Sequence, residues 1–171
     1  NSDEREVSIS TGNEVLKAIR KLGYAPKKIL IDGNYKSFKN DLKEQDLIFN
    51  ALHGGEGEDG KIQQWMNDND IPYTGSGPES SSLCMDKARS KSFAKLMGIK
   101  TPDWELIKNP NEIPKLQFPI VIKPNRQGST FGLTIVNHKK QLSSAMQKAF
   151  KYGNNIIAEE YIPGREITVP V

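Results

Sequence analysis

The sequence predicts an α/β protein built of two lobes. Three observations carry that expectation. Short β-branched runs alternate with amphipathic stretches as far as Thr74, the pattern of parallel strands joined by helical crossovers. After Gly77 the pattern changes to apolar strands set around a polar glycine loop. The chain has 171 residues, 36% hydrophobic and 26% charged, which suits one compact domain or two small lobes.

Each element has its own signal. Residues 13–22 place Val15, Leu16, Ile19 and Leu22 on one helical face, and Gly23 supplies a stop. Residues 28–32 (KILID) and 46–52 (DLIFNAL) read as strands, the second leading through residues 53–60 into a helix bearing Ile62, Trp65 and Met66. Residues 71–74 form a further short strand, ended by Gly75-Ser76-Gly77. No strand precedes the first helix, so the native opening strand is expected to be missing. Residues 78–85 form a Ser-rich, weakly helical turn, and Asp86 caps a helix reaching Met97. Residues 118–123 (FPIVIK) and 133–136 (LTIV) are strands, and residues 139–152 have the clearest helical periodicity. Residues 155–162 form a strand, and 167–171 begin another. The lobes are 1–76 and 77–171.

Composition excludes several classes. The longest apolar run, residues 118–122, is far too short to cross a bilayer, and the polar, acidic opening residues carry no signal peptide pattern. A lone Cys84 fits a reducing, cytoplasmic compartment. The net charge of +3 is spread over scattered Lys and Arg residues, with no basic patch for nucleic acid. No membrane or nucleic-acid partner is expected.

Gly55-Glu56-Gly57-Glu58-Asp59-Gly60 fits the dinucleotide pattern G-x-G-x-x-G between a strand and a helix. Its charge argues otherwise. A helix N-terminus attracts anions, and Glu56, Glu58 and Asp59 already fill that position with carboxylates. Helix capping and capture of a cationic ligand group both remain open for this loop, and a dinucleotide site is the runner-up.

Lys123 to Gly132 (KPNRQGSTFG) lies between two strands. Gly128 and Gly132 permit unusual backbone angles, and Ser129 and Thr130 supply hydroxyls, so the loop is either an ordinary turn or a phosphate lid. Lys87, in the first turn of its helix, is either solvated or a phosphate ligand. Glu159 and Glu160 end a strand whose alternation would turn one of them into a cleft. Lysines for phosphates and acidic acceptors for adenosine would together make a nucleotide site.

In order, Glu4-Arg5-Glu6-Val7-Ser8, the His53 to Gly60 loop and Pro72 to Gly77 resemble the N-terminal lobe of D-alanine–D-alanine ligases. Met85-Asp86-Lys87, Lys123-Pro124 with Gly128 to Gly132, and Glu159-Glu160-Tyr161-Ile162 with Gly164-Arg165-Glu166 resemble the ATP-grasp segment that follows. The resemblance implies a Rossmann-like, pre-ATP-grasp lobe with a parallel sheet, then an incomplete ATP-grasp α+β lobe. It implies that Glu4 holds the ammonium of the first D-alanine, with Ser129 beside it. Lys87 and Lys123 would bind ATP phosphates, covered by Gly128, Ser129, Thr130 and Gly132. Glu159 would accept from the adenine amino group, the backbone of Tyr161 and Ile162 would meet the ring edge, and Glu166 would bind the ribose. His53 and Glu58 belong to a substrate-side motif, and for His53 a structural and a ligand role both stay open. The family's Mg2+ ligands lie beyond Val171, so no metal ligand is assigned here. The implied product is a peptidoglycan precursor, made by an enzyme that is a homodimer when complete. The fragment alone is expected to be inactive. A non-catalytic nucleotide-binding module is the remaining alternative.

Overall fold

A computed structural model of the chain describes residues 3–169. It divides into two compact units, Asn1–Met85 and Asp86–Val171. The sequence reading put the division nine residues earlier, between 76 and 77. It falls later because the helix Pro78–Met85 packs on the helix Lys61–Asp68 of the first unit.

In the first unit, α1 (Arg5–Lys21) starts eight residues before the expected helix, so Glu4 stands at its N-cap position. Its end is as expected: Gly23 has φ 87° and donates its N–H to Arg20 O. Residues 28–32 form no strand. Ile29 and Ile31 pack against the core while Leu30 is exposed, so the alternation is present but no neighbouring strand supplies a ladder. The expected parallel sheet is confined to one parallel bridge, Ile48 with Tyr73, where Ile48 N donates to Pro72 O and Thr74 N to Ile48 O. α2 (Lys39–Lys43), α3 (Lys61–Asp68) and α4 (Pro78–Met85) complete the unit. Leu42, Ile62, Met66 and Ile71 form its core, with the Tyr35 ring edge-on to Trp65 beside it. Gly60 turns the chain into α3 with φ 93°, and a Cβ there would collide with the carbonyl oxygen of Pro78.

The second unit starts with α5 (Lys87–Leu96). A four-stranded antiparallel sheet follows, ordered β1-β4-β2-β3, from Trp104–Ile107, Ile156–Glu160, Ile120–Pro124 and Thr134–Val136. α6 (Leu142–Phe150) covers it, burying Leu142, Ala145, Met146 and Ala149 against Ile107, Ile120, Ile122, Val136, Ile156 and Ala158. The strand β1 has no counterpart in the sequence reading: it is four residues long, and Glu105 interrupts its apolar pattern. Residues 167–169 form no strand; the rest of that expected strand lies outside the described residues. β4 is an interior strand, so Glu159 is paired across to Trp104 on one side and Val121 on the other. Glu159 is buried, like the three residues before it, and Glu160 at the strand end is exposed.

Candidate functional site

The functional residues of the second unit converge where α5, β2 and β4 meet. Asp86 caps α5 by accepting from Arg89 N at 3.1 Å. Asn125, 2% exposed just past β2, takes Ala88 N on Oδ1 (2.9 Å) and Lys87 N on its carbonyl (3.1 Å), and donates Nδ2 to Asp86 Oδ1. The first amides of α5 are therefore spent within the protein, and an anion must be met by side chains and loop instead.

Those side chains are lysines. Lys87 Nζ donates to Gln127 O at 2.6 Å, under the glycine loop. Burial lowers its pKa, the nearby Lys123 charge lowers it further, and Glu159 and Asp86 oppose the shift. Lys123 Nζ lies 2.5 Å from Glu159 Oε2, an ion pair outside good hydrogen-bond alignment. Glu159 Oε1 is held by Lys91 Nζ at 3.1 Å, and Lys91 Nζ also donates to Thr101 Oγ1 at 2.6 Å. A buried carboxylate thus sits between two ammoniums, with a third close by.

In the loop, Gly132 has φ 72°, and a Cβ there would come within 2.8 Å of both Pro124 Cγ and Tyr152 Cδ2. Gly128 does not use a left-handed angle. That conformation falls on Ser129 (φ 47°) and Thr130 (φ 59°), two consecutive non-glycine residues. Phe131 N donates to Gly128 O and Leu133 N to Thr130 O, closing two tight turns, and Phe131 packs on Tyr152. Backbone strain of this kind concentrates at functional loops. Beyond β4, Tyr161 N donates to Pro119 O, while Ile162 and Glu166 are exposed and belong to no helix or strand.

The residues expected on the substrate side lie in the first unit. Glu4 is 5% exposed, and its carbonyl accepts from Ser8 N and Ser8 Oγ. His53 N donates to Ser8 Oγ (2.9 Å), its Nε2 is 3.0 Å from Thr11 Oγ1, and its Nδ1 is 3.6 Å from Glu58 Oε1. α1 and the His53 loop are thereby tied together. Two of the loop's acids are engaged at the start of α3: Asp59 Oδ1 accepts Lys61 N, and Lys61 Nζ lies 3.3 Å from both Glu56 and Asp59. Gly57 N, Glu58 N and Asp59 N all donate within the loop, so they do not form a pyrophosphate cradle. This weighs against the dinucleotide alternative.

Lys91 and Asn125 were not singled out by the sequence. Lys91 carried one signal, its place one helical turn after Lys87. Asn125 carried none.

A family model described as D-ala D-ala ligase N-terminus matches residues 34–76, and one described as D-ala D-ala ligase C-terminus matches residues 91–171. D-alanine–D-alanine ligase A of Bacillus cereus is 40% identical over 99% of this chain and 58% of its own length. A D-alanine–D-alanine ligase of Clostridium botulinum is 38% identical with the same coverage. The chain therefore spans under two thirds of the curated relatives it matches. Among solved structures, the Bacillus anthracis D-alanine–D-alanine ligase complexed with ATP superposes with a TM-score of 0.85, at 36% identity over 96% of this chain and 56% of that one. A D-Ala:D-Ser ligase of Enterococcus faecalis gives 0.65, at 40% identity over 70% of this chain and 37% of that one. Two family models matched in sequence order, with relatives near 40% identity over the whole chain, show that this chain belongs to the D-alanine–D-alanine ligase family.

Proposed function

We propose that the chain carries the nucleotide-binding groups and the first-substrate groups of a ligase that joins two D-alanines at the expense of ATP. The observation that carries this reading is the half-buried lysine pair, Lys87 and Lys123, between a strained glycine loop and the buried Glu159. Two neighbouring ammoniums favour a polyanion, and the carboxylate offers an acceptor for an exocyclic amine.

In the reaction, a carboxylate oxygen of the first D-alanine attacks the γ-phosphorus of ATP, the bond to the bridging oxygen breaks, and ADP leaves. The amine of the second D-alanine attacks the acyl carbon, the acyl phosphate bond breaks, phosphate leaves, and the amine loses a proton. Phosphorylation is needed because a carboxylate oxygen is otherwise a poor leaving group. Lys87 and Lys123 stabilise charge on the phosphate chain, and the loop from Gly128 to Gly132 covers it and limits water. In the first unit Glu4 receives the first ammonium, with His53 and Glu58 as substrate-side groups; in the second unit Ser129 serves the substrate. Tyr161, Ile162 and Glu166 serve the adenosine. Magnesium is implied by the family, but among the described residues no three His, Cys, Asp or Glu side chains form a metal-holding group, and no step is routed through a metal. The product would enter peptidoglycan synthesis in a bacterial cytoplasm.

Calorimetric titration of the chain with ATP and with NAD tests the reading. ATP should bind, NAD should not, and Lys123→Ala should weaken ATP about tenfold or more, as loss of a charge-assisted contact does. Binding of NAD in preference to ATP would replace this reading with the dinucleotide one.

A further inference from the structure

Lys123, the side chain that would meet a phosphate from β2, already has its charge against Glu159 Oε2. Its three donors could reach both anions, but its single positive charge would then be divided between them. If Lys123 alone neutralised Glu159, moving it to a phosphate would leave a buried carboxylate uncompensated, a costly state. Lys91 removes that difficulty. Its Nζ contacts the other oxygen, Oε1, and is fixed a second time by Thr101 Oγ1. Its side chain is 11% exposed, against 23% for Lys123, and it projects from a helix.

We infer that Lys91 is a positioning residue, the standing counter-ion of Glu159, which keeps that carboxylate in place while Lys123 exchanges it for a nucleotide phosphate. This rests on the nucleotide reading above. On this view Lys91 touches no ligand and acts only through Glu159, whereas a lysine that merely packs the core would act independently of Glu159.

The experiment is a double-mutant cycle on the whole chain, with inorganic tripolyphosphate and ATP as calorimetric probes. Lys91→Met should weaken tripolyphosphate about tenfold, because Glu159 then holds Lys123 more tightly. Lys91→Arg should recover most of the loss. Adding Glu159→Gln to Lys91→Met should restore tripolyphosphate binding at least to the unmodified level, while ATP loses its advantage over tripolyphosphate. Unchanged binding in Lys91→Met, or a double variant as weak as Lys91→Met, overturns the inference and leaves the nucleotide reading intact. If the unmodified chain binds neither probe, both fall together. Should Lys91→Met not fold, the comparison of Glu159→Gln with the double variant decides. Equal tripolyphosphate affinity supports the inference, and a further loss on removing Lys91 overturns it.

Discussion

Burial holds the Lys87 ammonium below its ordinary pKa of 10.5, and Lys123 adds to the shift. Because the folded value lies below the unfolded one, the folded chain binds fewer protons in the window between them. Stability therefore rises with pH through that window, and the destabilising contribution is complete only below the folded pKa. A phosphate beside Nζ favours the charged form and moves the pKa back up. ATP binding should accordingly take up a proton at alkaline pH, and affinity should fall as pH climbs through the window. Titrations in two buffers of different ionisation heat would measure the uptake, and Lys87→Met should abolish it. Absence of uptake in the unmodified chain would place Lys87 away from the phosphates. Lys87, Lys123 and Glu159 were legible because each stands in a short, recognisable motif. Lys91 was not, because the carboxylate it contacts lies 68 residues away in sequence.

The start of α5 illustrates what sequence conveys about an element and what it leaves out. The Asp86 cap was evident from residue type and position. The second cap, Asn125, comes from a strand end 37 residues beyond Ala88 and is invisible to local pattern. Asn125→Ala would leave the buried Ala88 N without its acceptor and would take one of its two donors from Asp86 Oδ1. The expected cost is about 2–3 kcal/mol by urea denaturation, against about 1 kcal/mol for Asp86→Ala, which removes a more exposed cap. Equal small losses would mean that water replaces Asn125 freely. Strands β2 and β4 were legible because their apolar stretches carry Ile120, Ile122, Ile156 and Ile157, all buried, whereas the short β1 was not. Residues 28–32 show the converse: alternation reports which side chains face a core, but a hydrogen-bonded neighbour is a separate requirement.

Across the whole molecule, each unit has its own apolar cluster, one centred on Ile62 and Met66 and the other on the isoleucines of the sheet. The order of motifs along the chain was sufficient to read the family. The division was placed too early because Gly75 to Pro78 has the composition of a linker, whereas α4 belongs by packing to the first unit. The chain spans 58% of the Bacillus cereus relative. The expected behaviour is binding without turnover: purified chain given ATP and D-alanine should release no phosphate above the level without D-alanine. A phosphate-release assay measures this directly, and D-alanine-dependent release would show that the groups present here suffice for chemistry.

The close approach at Gly132 also has a genetic meaning. Every single-base change of a glycine codon that alters the residue introduces a side chain, whether Ala, Ser or Val or something larger. At Gly132 each would meet Pro124 and Tyr152 at once, and at a backbone angle that L side chains rarely adopt. A library of random point mutants selected for ATP binding should therefore be almost empty at this codon, while an exposed position outside the loop, such as Lys140, tolerates many replacements.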